Sequence, residues 1–177
     1  TPLGDVEVDK QAASLLLSYA PFVEGNPYAH SFEHSIELQL PFLQLIYGDS
    51  FKLVPIIIHD FELKKNVELG RALVKVLESK KSIVIASSDM SHYVPAKEAE
   101  DRDMATIRAI ESLDENRVYS IASSYESLCG LGPVIALVSY VKEMGCSTAS
   151  LLKYYTSGEI TADYEGVVGY ASIAFYK

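Results

Sequence analysis

The chain has 177 residues, and its 15 lysines and arginines against 24 aspartates and glutamates give a net charge of −9. Hydrophobic residues make up 49% of the sequence and charged residues 22%, a balance typical of a globular protein, which excludes a disordered chain. This length suffices for one hydrophobic core, so we expect a single domain over residues 1–177. The acidic charge opposes binding to nucleic acid and to membrane surfaces, since both need lysine and arginine against phosphate. Small molecules and peptides remain as expected partners.

No stretch predicts a membrane-spanning helix or a secretion signal. The longest apolar runs, such as residues 53–58, fall far short of the roughly 20 residues that cross a bilayer. Residues 1–5 contain neither the basic nor the apolar segment of a leader peptide. The two cysteines, Cys129 and Cys146, do not form a disulfide framework, so we expect free thiols in a reducing cytoplasm.

Helical and strand-like patterns alternate in the first half of the chain. Apolar residues at helical spacing predict helices at residues 8–20, 31–48 and 61–77. Pro41 indicates a kink or a new first turn in the second of these helices. Short apolar runs predict buried strands at residues 51–58 and 82–87.

The second half continues with helices and ends in two strands. Helices are predicted at residues 97–112, 116–123 and 133–144, and the closing strands at residues 150–156 and 167–176. Buried strands that alternate with helices favour a three-layer α/β fold, with helices on both sides of one sheet. The closing strand pair suggests an antiparallel edge, and therefore a mixed sheet.

A cluster of polar side chains directly follows the strand predicted at residues 82–87. It reads Ser87-Ser88-Asp89-Met90-Ser91-His92-Tyr93. Ligands of open α/β sheets bind beyond the carboxyl ends of strands, so this position favours a functional site. There Asp89 would orient the His92 imidazole for proton transfer. The alternative is structural, with Asp89 and Ser91 capping a turn and His92 as a polar bystander.

A second candidate is the cysteine of Cys129-Gly130-Leu131-Gly132-Pro133, which precedes a predicted helix. We expect Pro133 at the first helical position and Gly132 at the cap, because the N–H that proline lacks is not needed there. Backbone N–H groups at a helix start favour a thiolate on Cys129, which would serve as a nucleophile or a soft metal ligand. The structural alternative is a small residue packed in a tight turn.

A third candidate is the segment His30-Ser31-Phe32-Glu33-His34-Ser35-Ile36-Glu37. A helix here would bring Glu33, His34 and Glu37 onto adjoining faces, where they could bind a cation or transfer a proton. The segment lacks the second histidine of the H-E-x-x-H zinc motif, and a capped, solvated turn explains the same residues. His59, which follows a predicted strand, is a weaker candidate without a partner in the sequence.

Four segments taken together resemble the Memo family. They are Glu33-His34-Ser35-Ile36-Glu37-Leu38-Gln39-Leu40-Pro41, Ser87-Ser88-Asp89-Met90-Ser91-His92-Tyr93, Cys129-Gly130-Leu131-Gly132-Pro133 and Val168-Gly169-Tyr170-Ala171. Their order and spacing follow the family pattern over essentially the whole chain. The resemblance implies an α/β fold related to the class III extradiol dioxygenases, in which non-haem iron lies at one end of a mixed sheet.

The resemblance also implies roles for individual residues. Cys129 matches the family's thiolate metal ligand, His92 its acid/base histidine, and Asp89 the neighbouring residue of the pocket. His34 and Ser88 are expected to line the same pocket. These roles come from the match of the motifs alone.

By the same resemblance, the chain corresponds to roughly the last two-thirds of a Memo protein, and the upstream third would carry two histidines that complete the metal site. One thiolate seldom holds a divalent ion tightly. We therefore expect iron in the complete protein and weak or no metal binding by these residues alone. The upstream segment or another chain would cover the sheet edges and apolar surface that remain.

Three functions are compatible with these residues, and the assignment as an enzyme stays open. The leading hypothesis is a Memo-like protein with metal-dependent redox or oxygenase chemistry in its complete form. The alternative is a non-catalytic scaffold; the resemblance implies phosphotyrosine peptides as partners, although a net charge of −9 opposes phosphate recognition. The third is nucleophilic catalysis by Cys129 and His92, which needs sulfur and imidazole within hydrogen-bond reach.

Overall fold

Seven α-helices and a three-stranded sheet form the computed structural model, which describes residues 1–177. The helices are α1 (Lys10–Tyr19), α2 (Leu40–Tyr47), α3 (Leu63–Leu77), α4 (Ala96–Glu111), α5 (Glu115–Tyr125), α6 (Leu131–Glu143) and α7 (Gly158–Thr161). The strands are β1 (His92–Val94), β2 (Thr148–Thr156) and β3 (Val167–Tyr176), and a 3₁₀ helix covers Pro27–Phe32. None of the helices combines the length and the apolar character that crossing a membrane requires.

Aspartate side chains start two of the helices. The Asp9 carboxylate accepts a hydrogen bond from the Ala12 amide at the start of α1, at 2.9 Å. The Asp114 carboxylate accepts bonds from the Asn116 and Arg117 amides at the start of α5. Such caps satisfy amides that have no partner inside the helix. The helices predicted around α1, α3, α4, α5 and α6 are confirmed, with ends that differ by a few residues.

The sheet is antiparallel, with β3 in the centre and β1 and β2 at its edges. Along β2 and β3 the pairing begins with Thr148 opposite Tyr176, as the sequence predicts for the closing strands. Strand β1 pairs His92 with Val168. This strand was not predicted, because three residues are too few to show an apolar alternation. It fixes the candidate loop of residues 87–92 beside the start of β3.

Helix α6 lies at the centre of the packing. On one side it contacts α3 closely at Gly70, where a Cβ atom would lie only 2.4 Å from the Ala136 carbonyl oxygen. On the other side Ile135 joins the apolar cluster that includes Ile107 of α4 and Val118 of α5. A helix covered on both sides must be apolar nearly all round, and α6 is. These two contacts fix the position of α6 and of its N-terminus.

The strands predicted at residues 51–58 and 82–87 do not form as hydrogen-bonded strands. One parallel bridge joins Val8 and Leu53. Beyond it, no backbone group of residues 54–59 or 82–88 bonds to another backbone group. Apolar β-branched runs favour an extended backbone, but a strand also needs a neighbour for its amides and carbonyls. The α/β class is confirmed, while the sheet that forms is small and antiparallel.

These two segments nevertheless pack against the core with every second side chain. In the first, Val54, Ile56 and Ile58 pack against the apolar cluster formed with α1, α3 and α6. In the second, Val84 packs inward while Ile83 is 70% exposed. Side chains that alternate between a packed and an open face are the mark of an extended chain. The segments therefore lie on the core as strands would, without strand partners.

The helix predicted over residues 31–48 forms only in its second part, as α2. The Glu33 carboxylate accepts hydrogen bonds from the Ser35 and Ile36 amides, which makes a local turn in place of helical bonds. Pro41 lies in the first turn of α2, where the N–H that it lacks has no partner in any case. Of the two outcomes predicted for Pro41, a new first turn is the one observed.

Candidate functional site

The candidate loop of residues 87–92 and the N-terminus of α6 meet at one edge of the molecule. Cys129 directly precedes Gly130, the N-cap residue of α6, and is exposed. This corrects two predictions: the cap is Gly130, and Pro133 is the third helical residue. Since α6 begins at Leu131, Cys129 still lies two residues before the first helical residue.

The two glycines of the Cys-Gly-Leu-Gly motif allow this close approach. A Cβ atom on Gly130 would lie 2.7 Å from the Ser88 Cβ. A Cβ atom on Gly132 would lie 2.6 Å from a methyl carbon of Ile58. Real Cβ atoms do not tolerate such contacts, so glycine is required at both positions. The helix start therefore fits between the ends of the two unpaired apolar segments.

Cys129 is hydrogen-bonded to the candidate loop. The Asp89 amide donates to the Cys129 Sγ at 3.2 Å, and the Cys129 amide donates back to the Asp89 carbonyl at 3.3 Å. The Ser88 hydroxyl donates to the Asp89 carbonyl and accepts from the Gly130 amide, both at 2.8 Å. Its oxygen lies 3.6 Å from the Cys129 Sγ. Ser88 thus lies beside the sulfur, and its role in lining a pocket stays a prediction.

His92 faces the Asp89 side chain. The His92 Nε2 lies 3.4 Å from the Asp89 Oδ2, and the two side chains are 36% and 49% exposed. One ligand atom from each of Asp89, His92 and Cys129 lies within 4.8 Å of the others. Residues 40 positions apart in the chain thus bring oxygen, nitrogen and sulfur donors to one place. His92 and Cys129 are not hydrogen-bonded to each other, so the nucleophilic pair of the third hypothesis is not preformed.

Tyrosines border the cluster on the β3 side. Burial raises the pKa of the Tyr170 phenol, and the nearby negative charge of Asp89 raises it further. The Tyr155 ring lies 5.4 Å from the Tyr170 ring, centroid to centroid. Tyr93 follows the cluster in a left-handed backbone conformation with φ of 57°. The site is therefore acidic and aromatic, and it has no arginine in its hydrogen-bonded frame.

His34 lies outside the three-residue cluster. It is exposed, and its Nδ1 lies 2.5 Å from the Glu37 Oε1. The hydrogen bond to Glu37 raises the pKa of the His34 imidazole. The same segment approaches the candidate loop through Gln39, whose side-chain amide donates to the Ser87 hydroxyl at 3.2 Å. The role of His34 in lining the pocket stays a prediction.

Asp103 of α4 is completely buried beside the site, although the sequence does not single it out. Its Oδ1 accepts hydrogen bonds from the Ser91 amide at 3.0 Å and the Ser91 hydroxyl at 2.6 Å. Its Oδ2 accepts one from the Tyr154 hydroxyl at 2.8 Å. Ala99 and Ile107, four residues away on either side, are also buried, so position 103 lies on the packed face of α4. In the sequence, the run of charged residues around position 103 indicates an exposed segment instead.

These observations define an α/β protein with a cysteine sulfur, an imidazole and a carboxylate gathered beside a helix N-terminus, a combination typical of metal or ligand sites. A family model described as "Memo-like protein" matches residues 1–174. The chain belongs to the Memo family. This agrees with the resemblance carried by the four sequence segments.

Curated relatives support the same assignment. The chain is 44% identical to a MEMO1 family protein of Methanopyrus kandleri and 43% identical to one of Pyrobaculum aerophilum, in both cases over 100% of this chain. It is 38% identical to a MEMO1 family protein of Aquifex aeolicus over 99% of this chain. The chain spans 64% of the length of the first two relatives and 66% of the third.

Proposed function

We propose that Asp89, His92 and Cys129 are the part of a transition-metal site that this chain contributes. In the complete protein the site would support metal-dependent redox or oxygenase chemistry. One observation carries the proposal: the candidate ligand atoms of these three residues lie within 4.8 Å of one another. A thiolate ligand from Cys129 suits iron, zinc or cobalt, whereas magnesium and calcium prefer oxygen ligands.

Cys129 is the anchor of the proposed site. Cys129 is exposed and directly precedes the N-cap residue of α6, and it would bind the ion as a thiolate. The bond from the Asp89 amide fixes the position of the sulfur before any ion binds. Bound iron would supply a redox centre and a Lewis acid. A three-layer fold of the class III extradiol dioxygenase type, completed around the two unpaired segments, belongs to the same proposal.

His92 is the proposed proton-transfer residue. The Asp89 carboxylate, at 3.4 Å from Nε2, restricts the orientation of the ring. The partial exposure of both side chains lets the imidazole exchange protons with a bound small molecule or with solvent. Asp89 therefore acts mainly through His92 in this arrangement.

Ligands from outside residues 1–177 complete the proposed site. Catalytic metal sites usually have three protein ligands and an open position. Here only Cys129 is assigned to the ion, while Asp89 and His92 serve proton transfer. The curated relatives are longer than this chain, with about a third of their length outside the match. We therefore expect the complete protein to bind iron and residues 1–177 alone to bind it weakly.

Anaerobic reconstitution with Fe(II) tests the proposal. The complete protein and a Cys146→Ala control should retain one iron per chain, whereas Cys129→Ala should lose it. His92→Ala should retain iron but lower O2 uptake with a catechol panel by roughly 10²- to 10⁴-fold, as for a lost acid/base group. Iron retention by Cys129→Ala would overturn the proposal. Tight phosphopeptide binding that survives His92→Ala, without O2 uptake, would identify the scaffold alternative instead.

A further inference from the structure

We propose that Asp103 is a positioning residue for the site: it holds the candidate loop so that Asp89 and His92 face Cys129. This inference rests on the proposed metal site. Asp103 would act through Ser91, because it is buried and forms no hydrogen bond with Asp89, His92 or Cys129.

The hydrogen bonds of Asp103 act on the middle of the loop. Ser91 is 1% exposed, and both its amide and its hydroxyl donate to the same oxygen of Asp103. Ser91 directly precedes His92 and lies two residues after Asp89. A shift of Ser91 therefore moves both site residues, and with them the bond between the Asp89 amide and the Cys129 sulfur.

Strand β3 holds the same part of the loop, residues 90 and 91, from the side opposite to Asp103. The Met90 amide donates to the Gly169 carbonyl, and the Gly169 amide donates to the Ser91 carbonyl, both at 2.9 Å. A Cβ atom at position 169 would lie 2.0 Å from the Asp103 Oδ2. Only glycine lets β3 pass so close to the carboxylate. Residues 90 and 91 are thus fixed by the sheet on one side and by Asp103 on the other.

The chemistry of Asp103 supports a dedicated role. No lysine, arginine or histidine forms an ion pair with this buried carboxylate, and a buried charge is costly unless hydrogen bonds compensate it. Three donors do so, two of them from Ser91. Burial and the bond to Asp103 raise the pKa of the Tyr154 phenol well above its usual range, so Tyr154 remains a donor. Charge-assisted bonds are about twice as strong as neutral ones, which suits a residue that fixes a loop.

Titration of the complete protein with Co²⁺ tests the role of Asp103. The thiolate-to-cobalt charge-transfer band reports binding at Cys129, and chelator competition gives the affinity. Asp103→Asn keeps the shape but removes the charge, and we expect it to lower Co²⁺ affinity about 10- to 100-fold, the usual effect of a residue that orients metal-site groups. Asp101→Asn, an exposed carboxylate on the same helix, should stay within about twofold of wild type.

Two further variants separate positioning from stability. Ser91→Ala removes one bond between Asp103 and the loop and should lower the affinity about 2- to 10-fold. Tyr154→Phe also removes one bond to Asp103 but leaves the bonds to Ser91 intact. It should lower the thermal midpoint and leave Co²⁺ affinity within about twofold. Equal losses of affinity in these two variants would show that Asp103 acts only through stability, and would overturn the proposal.

Amide hydrogen exchange gives a readout that does not depend on metal. In apo Asp103→Asn, the amides of Cys129 and Gly130, which bond to the loop, should exchange at least about tenfold faster than in Asp101→Asn. Unchanged exchange at both amides would overturn the positioning role, even if Asp103→Asn binds Co²⁺ poorly. A wild-type protein that shows no thiolate-to-cobalt band, but the expected exchange pattern, would refute the metal site and leave the positioning of the loop intact.

Discussion

Two regions of this molecule differ in how many of their backbone N–H and C=O groups form hydrogen bonds with other backbone groups. Residues 89–177, which we call the paired region, hold β1, β2, β3 and the helices around them, and every strand there has a partner. Residues 21–62 and 79–88, which we call the unpaired region, contain two extended apolar segments without a ladder. The strands of the paired region pair with one another, whereas the backbone groups of residues 54–59 and 82–88 have no backbone partner within residues 1–177.

Large apolar side chains are exposed more often in the unpaired region, although Leu152 and Ile160 of the paired region are 63% and 80% exposed. Helix α2 leaves Phe42, Leu45 and Ile46 between 66% and 74% exposed. Ile83 and Ile85, on the open face of the second segment, are 70% and 46% exposed. Contiguous exposed apolar surface is typical of a face that another polypeptide covers. The site lies at the boundary, because Cys129 and His92 belong to the paired region while Ser87 and Ser88 end an unpaired segment.

The largest expected difference is in amide exchange. In residues 1–177 alone, amides of residues 83–87 should exchange with an opening free energy of about zero, because nothing accepts their hydrogen bonds. Amides of β2 and β3 should require about 5 kcal/mol or more, the lower end of global stabilities. Slow exchange in residues 83–87 of the isolated chain would contradict the distinction. Slower exchange there in the complete protein would show that its additional residues provide the partner.

Matched isoleucine substitutions compare packing in the two regions. Ile135→Ala in α6, which is completely buried, should lower the free energy of unfolding by about 2–5 kcal/mol. Ile46→Ala in α2, which is 70% exposed, should change it by less than about 0.5 kcal/mol. Urea denaturation measures both. Similar losses in the two variants would mean that the exposed face of α2 is buried in solution, for example by a second copy.

Matched glycine substitutions test the tight crossing of β3 over Asp103. Gly169→Ala should cost about 1–3 kcal/mol, because its Cβ would overlap the Asp103 carboxylate. Gly166→Ala, where a Cβ atom meets nothing within 4 Å, should cost less than about 0.5 kcal/mol. The measurement is again chemical denaturation. If Gly169→Ala is as stable as wild type, β3 does not hold Asp103 and the loop as closely as described.

The smallest expected effect concerns acid stability at the start of α1. The hydrogen bond from Lys80 lowers the pKa of Asp9 below its usual value of 3.8. A lowered carboxyl pKa stabilises the fold fully above pH 3.8, and this stabilisation is lost as the pH falls through the lowered value. Asp9→Asn should therefore be less stable than wild type at neutral pH, with the difference shrinking in acid. Asp5→Asn, at an exposed aspartate near the same end of the chain, serves as the control.

Much of the paired region could be predicted from the sequence. Helices α4 and α6 and strand β3 depend on contacts that the chain makes with itself. The strands predicted at residues 51–58 and 82–87 are wrong, because an apolar run records burial and does not reveal whether a neighbouring strand exists. Local turn chemistry at Glu33 also overrode the helical pattern before α2.

The site could be predicted in part. Asp89, His92 and Cys129 were proposed from residue types at a strand end and a helix start, and the structure places them together. Their roles stay predictions. Asp103 could not be identified from its charged surroundings, since only the fold shows that it turns inward to Ser91. Positioning residues are harder to find than ligands, because their chemistry appears only when two distant elements meet.

The most direct test of the account is X-ray absorption on the complete protein loaded with Zn²⁺. We predict one sulfur neighbour at about 2.3 Å from the metal. That signal should persist in Cys146→Ala and disappear in Cys129→Ala. A spectrum with nitrogen and oxygen neighbours only, or a sulfur neighbour that survives Cys129→Ala, would contradict the assignment of the cluster as a metal site.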